Sequence, residues 1–203
     1  MNIFSLDGGV YRMLDRAINF LFLNVIWLLF CLPIITIFPA TAAMFGVVRE
    51  WNQKKNQGVF RTFFMLFKET FLKSFLFGIV WFILAYLFYF NISISLQMSG
   101  SLKLIILSIL ICLCLLFTLA SIYLFPLMVH YKMQWVALIK NAILFSVSQL
   151  KTTILCAIII LIAMFINYVM PIGIVFVWSV AAYNIYRFCD KSFKKIELMG
   201  GSS

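Results

Sequence analysis

Acidic residues are scarce in this sequence: six Asp and Glu in 203 residues, against sixteen Lys and Arg, with one histidine. Only 11% of the chain is charged, where soluble domains carry about a quarter. A soluble domain is therefore excluded. The acids, Asp7, Asp15, Glu50, Glu69, Asp190 and Glu197, all sit outside the apolar cores. Ion-coupled transporters usually hold an ionisable residue at membrane depth, where the driving ion is exchanged, and none stands there. One histidine, His130, cannot complete a nucleophilic triad without a buried acid; an interfacial or hydrogen-bonding role is expected of it. There is no glycine-rich phosphate loop and no zinc-ligand spacing. The chain is accordingly expected to be no enzyme and to need no cofactor or metal, and any active transport would draw its energy from a partner.

Paired cysteine spacing is also missing. Cys31, Cys112, Cys114, Cys156 and Cys189 lie in or beside apolar runs with no histidine cluster, which suits small buried hydrophobes. The net charge of +10 does not mark a nucleic-acid binder, because the basic residues flank apolar spans instead of gathering on one soluble face.

What the chain does have is length without charge. Residues 17–48, 74–102, 104–131 (apart from its edges) and 152–186 are apolar runs, each beyond the roughly 18 to 20 residues that cross a bilayer. A cleaved signal peptide is not expected, since the run after Arg12 and Arg16 exceeds a signal's apolar core. The reading is an all-α, polytopic membrane helical bundle forming one membrane domain over 1–199, with 200–203 as a linker or cloning scar. Four full spans are expected, at 74–98, 102–123, 152–168 and 172–187. They pair as two hairpins, joined by "MSGS" and by "NYVMPIG", where Pro171 and Gly173 stop one helix and start another.

Before them comes "FCLPIITIFPATAAMFGVVREW", residues 30–51. Pro33 pushes its predecessor out of helical geometry and Pro39 suits the start of a new helix. An N-terminal, proline-broken short hairpin is expected, giving five or six membrane segments. Its non-helical part, 33–38, should be shielded by protein or water, since backbone groups cannot go unpaired in lipid. Pro33, Thr36, Pro39, Ala40, Thr41, Ala42, Ala43 and Gly46 make a small-residue packing seam. Doubling back at residues 33–48 places Arg12 and Arg16 with Arg49, Lys54, Lys55, Arg61, Lys68, Lys73, Lys132, Lys140, Lys151, Arg187, Lys191, Lys194 and Lys195 on one side. Only Lys103 is left on the other, so both termini are expected on the inner side.

Two stretches read as interfacial amphipathic helices. In "FRTFFMLFKETFLK", residues 60–73, Phe60, Phe63, Phe64, Phe67 and Phe71 repeat at helical spacing. In 132–151, Gln134, Asn141 and Ser148 form a seven-residue polar line, with Trp135 beside it. That helix is either a lipid-facing elbow or a partner docking surface. Asn24, Asn167 and Asn184, with Thr41, are either helix-to-helix hydrogen-bonding groups or the lining of a sugar path. Trp51, Tyr123, Tyr131, Trp135, Tyr168, Tyr183 and Tyr186 fall near span boundaries as an aromatic belt, while Trp27, Trp81 and Trp178 lie deeper.

The stretches "NVIWLLFCLPIITIFPATAAMFGVVREW", "FRTFFMLFKETFLKSFLFG", "YLFPLMVHYKMQWVALIKNAILFS" and "AAYNIYRFCDK" resemble the YesL-like family of bacterial integral membrane proteins, a family of unknown function. Asn24, Trp27, Pro33, Thr36, Pro39, Ala40, Thr41, Ala42, Ala43 and Arg49 carry the likeness. Phe38 stands where glycine is usual and Thr70 where a polar amide is common, so no unusually tight turn is expected at residue 38. The resemblance implies a multi-pass protein of a Gram-positive-type cytoplasmic membrane, often encoded beside carbohydrate ABC importers. Two roles follow from it: a non-catalytic accessory subunit contacting importer membrane subunits, or a small uncoupled sugar or oligosaccharide transporter or channel. The lipid bilayer and self-association complete the expected partners, and nucleic acid is excluded.

Overall fold

The computed structural model describes residues 9–54, 58–131 and 133–200; Asp7, Lys55, Lys132 and residues 201–203 lie outside them. Among the described residues every regular element is helical: α1 Gly9–Cys31, α2 Ile37–Asn52, α3 Val59–Gln97, α4 Ser101–His130, α5 Trp135–Ser148, α6 Leu150–Val169 and α7 Val177–Gly200, with 3-10 turns at Ile34–Thr36 and Pro171–Val175. Five stretches, Met13–Cys31, Ile34–Asn52, Val59–Gln97, Leu102–His130 and Leu150–Val169, are long and apolar enough to cross a membrane. The protein is an all-helical membrane protein.

Pro33 breaks the first run as its missing N–H requires. The Leu29 carbonyl takes the Leu32 N–H instead, and the Thr36 N–H closes onto the Pro33 carbonyl at 2.9 Å. The Thr36 hydroxyl lies 2.5 Å from the Phe30 carbonyl and 2.7 Å from that of Pro33, so one side chain serves the carbonyls the break sets free. The break was expected to be shielded by protein or water over 33–38. It is shorter, since α2 begins at Ile37 with Pro39 in its first turn, where no N–H is needed. It is also uncovered: Leu32, Ile34 and Ile35 are 78%, 72% and 67% exposed. Protein does not shield it; local hydrogen bonding serves its carbonyls. Phe20 meets Trp51 at 5.0 Å between ring centroids, and the Trp27 indole N–H donates to the Thr41 hydroxyl at 3.2 Å. α1 and α2 are therefore an antiparallel hairpin.

A second difference concerns residues 60–73. They do not form a separate surface helix but the first turns of α3, which runs unbroken for 39 residues, about 58 Å at 1.5 Å per residue. Neither proline nor a turn residue falls between Thr70 and Phe77, so the change of pattern at Ser74 alters which face is polar without ending the helix. Gly100, at φ 94°, makes the left-handed turn into α4 that only glycine adopts freely. α4 continues past the expected end at 123, carrying Pro126 inside it, to His130.

The last expected span is a third difference. Pro171 opens a 3-10 turn and α7 starts at Val177, leaving ten uncharged residues before Arg187, about 15 Å of rise. Beyond Arg187, α7 carries Asp190, Lys191, Lys194, Lys195 and Glu197. It is not among the five membrane-length stretches. Its apolar side packs antiparallel on α6, where Thr152 and Ser192 hydroxyls meet at 2.9 Å.

α2 is the hub, touching α1, α3, α4 and α7. Ala40, Ala42, Ala43 and Gly46 are buried in it with Pro39 and Val47, and their small volumes bring the neighbouring helices close. At Gly46 a Cβ would lie 2.7 Å from Leu66 Cδ1. Phe38 sits in helical backbone and lays its ring against Gly78, where an added Cβ would lie 3.0 Å away. It also meets Trp81, Phe82 and Phe125. Tyr123 and Tyr186 belong to the core, not to a boundary belt: both are fully buried, and the Tyr123 phenol bonds Thr153 at 3.0 Å.

Candidate functional site

The charged ends of α2 and α4 and the polar half of α7 meet in one cluster. α4 ends at His130, so its last carbonyls have no helical partner and carry the negative end of the helix dipole. Arg49, near the end of α2, donates from Nη1 to the Val129 carbonyl and from Nη2 to Glu50 Oε1 at 2.8 Å. Its Nε is buried without a partner. The guanidinium thus caps α4 from a neighbouring helix while balancing a buried carboxylate.

α7 supplies a stripe at helical spacing: Tyr186, Asp190, Phe193 and Glu197. The Tyr186 phenol and His130 Nδ1 share a hydrogen bond of 2.9 Å. Asp190, buried, lies 3.8 Å from the same nitrogen, accepts from Asn52 Nδ2 at 3.1 Å and pairs with Lys194 at 2.6 Å. Glu197 accepts from the Tyr131 phenol at 2.6 Å and stands 4.0 Å from His130 Nε2. Burial, then the Glu197 carboxylate, pushes the Tyr131 phenol well above its usual range, which keeps it a donor. Three carboxylates face Arg49, Lys194 and His130, with rings of Tyr131, Phe193 and Phe145 packed around them. No trio of histidine, cysteine or acidic residues spaced to hold a metal occurs among the described residues. The arrangement can lock three helix ends together, with Tyr186 and His130 hydrogen-bonded at its centre.

Sequence reading placed these acids outside the apolar cores but did not join them. The partners are far apart along the chain, 138 positions for Asn52 and Asp190. The one local signal was the Tyr186, Asp190, Phe193, Glu197 periodicity, most of which lies beyond the expected span end at 187.

Of the seam residues, Pro39, Ala40, Ala42, Ala43 and Gly46 lie together in the core, Thr36 and Thr41 are half-buried, and Pro33 is exposed. The residues weighed for docking are not one free face. Trp135 stacks flat on Phe77 at 4.9 Å and Asn141 reaches the Met133 sulfur at 3.2 Å, whereas Gln134 and Ser148 are exposed. Asn24 is fully buried and donates to the Ile174 carbonyl at 2.7 Å. Asn167 Oδ1 lies beside Gly173, 3.4 Å from where a Cβ would stand. Asn24 and Asn167 therefore border the same 3-10 turn, each with an amide oxygen lacking a partner. Asn184 bonds the Val180 carbonyl of its own helix at 2.9 Å and joins neither. Cys156 and Cys189 are buried on the facing helices α6 and α7.

The profile of a family described as "Protein of unknown function, DUF624" matches residues 20–92, from α1 through most of α3. "Uncharacterized protein YteU" of Bacillus subtilis (strain 168) is 30% identical across 96% of this chain and 91% of its own length. "Uncharacterized protein YesV" of the same organism is 29% identical over 73% of this chain and 74% of itself. "Uncharacterized protein YesL", also from that organism, is 26% identical over 76% and 75%. No solved structure matches. With the seam, both proline breaks and the Arg49 cap all inside sequence shared along nearly its whole length, the chain belongs to the DUF624 family of proteins of unknown function.

Proposed function

We propose that the protein is a non-catalytic accessory subunit of the bacterial cytoplasmic membrane, associated with the membrane subunits of a carbohydrate ABC importer. One observation carries this reading: most polar side chains in the apolar helices find hydrogen-bond partners within the protein. Trp81 donates to Ser121 at 2.9 Å, Ser179 to the Phe20 carbonyl at 2.9 Å and Asn24 to Ile174. Thr118 and Asn91, which are exposed, bond carbonyls of their own helices instead. Polar groups paired in these ways stabilise a scaffold and leave little to line a path. The outward surface is apolar instead, on the outer parts of α3 and α4, on α6 and along α5 at Val136, Ile139, Ile143 and Val147. The importer assignment itself rests on the family resemblance.

Affinity capture of the tagged protein from its native membrane tests the reading. Importer membrane subunits should co-purify, and Ile139→Ser with Ile143→Ser should reduce their recovery if α5 is the contact; recovery of no importer subunit removes the proposal.

A second reading, an uncoupled sugar channel, draws on the unpartnered oxygens of Asn24 and Asn167 at the 171–175 turn. Saturable sugar flux into liposomes holding the purified protein alone would favour it.

A further inference from the structure

Two cavities lie on either side of Phe77 where α3, α4 and α5 join. The first, about 100 Å³, has Glu69, Thr70, Lys73, Tyr131 and Trp135 in its wall. The second, about 290 Å³, is lined by Trp81, Leu84, Leu116, Phe117, Ala120 and their apolar neighbours. Phe77 belongs to both walls, and successive residues of α5 close them, Leu138 over the first and Ile139 over the second. The stacked Phe77 and Trp135 rings are the boundary between a polar mouth and an apolar groove that runs between the membrane-length parts of α3 and α4.

We infer that this junction binds one glycerophospholipid, with its phosphate at Lys73 and one acyl chain in the groove beneath α5. The groove is just under the size range of small-molecule pockets, which begins at about 300 Å³. Its walls carry a single polar side chain, Ser121, already bonded to the Phe117 carbonyl and to Trp81. Water and sugar have nothing to bond there, and apolar cavities stay dry; an acyl chain fits the chemistry. At the mouth, the Lys73 ammonium has no hydrogen-bond or ion-pair partner among the described residues, while Glu69 has an interaction of its own. Thr70 donates to the Leu66 carbonyl at 2.8 Å, so its oxygen remains an acceptor for a hydroxyl on the headgroup. An anionic phosphate suits the unpaired ammonium, and Trp135 is placed as interfacial tryptophans are, with an apolar body and a polar edge. Charge at one end and a dry slot at the other are complementary to an amphiphile and to neither a free anion nor a free sugar.

The test is a titration of delipidated protein in mild detergent with dioleoylphosphatidylglycerol, followed by native mass spectrometry. The first lipid should bind saturably. Lys73→Gln should weaken it about tenfold, the loss expected when a charged hydrogen-bond partner is removed, and Ala120→Phe, which fills the groove, should weaken it as well. Glycerol 3-phosphate, which has the phosphate without the chains, should not compete. A wild-type protein with no saturable first lipid overturns the inference, as do unchanged binding in Lys73→Gln or displacement by glycerol 3-phosphate at equal concentration. Lys73 is exposed, so its variant decides the matter even if Ala120→Phe fails to fold.

Discussion

Arg49 shows how much of this bundle depends on single side chains. It joins the end of α4 to the end of α2 and balances Glu50, so Arg49→Ala removes the donor to a helix carbonyl and the guanidinium beside a buried carboxylate. A loss of about 2 to 3 kcal/mol is expected for hydrogen bonds to a charged group, read as a fall in thermal unfolding temperature in detergent. Lys68→Ala, an exposed change beside it in composition but not in contact, should stay within about 0.5 kcal/mol. Lys54 provides a prediction of opposite sign. It follows the end of α2 at φ 59°, the left-handed position where glycine is favoured, and its N–H closes on the Trp51 carbonyl. Lys54→Gly should stabilise by about 0.5 to 1 kcal/mol, the relief of a strained left-handed residue.

Among the elements, α2 tests the close-packing account. Gly46→Val forces branched atoms into the space of Leu66, and overpacking of this kind costs about 1 to 3 kcal/mol; the same readout applies, with Gly58→Val, in open space, as the control. At the proline break, Thr36→Val removes the hydroxyl that serves the Phe30 and Pro33 carbonyls and should cost about 1 kcal/mol. These breaks were legible from sequence because their causes are local: a proline lacks a donor wherever it stands, and Gly100 marks a turn by the conformation only glycine takes. What was not legible came from tertiary packing or from the lack of a stop signal. Residues 60–73 carry a surface-helix pattern, yet α3 passes through them because nothing ends it. Tyr123 and Tyr186 read as boundary aromatics, and only the partners they find, Thr153 and His130, account for their burial. The Asp190 cluster joins segments that no sequence window contains together.

For the molecule as a whole, the arrangement has one packed region and several bare arms. Burial gathers on α2 and on the parts of α3, α4 and α7 that touch it, whereas the Leu102–His130 stretch has its most apolar window entirely unburied by the chain itself. Lipid, a partner, or both must cover those surfaces. The scaffold reading depends on the chain doubling back at Pro33, so that the start of α1 and the end of α2 share a side of the membrane. Single-cysteine labelling in a cysteine-free background tests this most directly, at Met13, Lys54 and Ser99, which are all exposed. The account predicts that a membrane-impermeant maleimide added to intact cells labels position 99 while sparing 13 and 54, and that both react once the membrane is opened. Labelling of 13 but not 54 in intact cells would show that α1 and α2 do not form a hairpin in the membrane, and would contradict it.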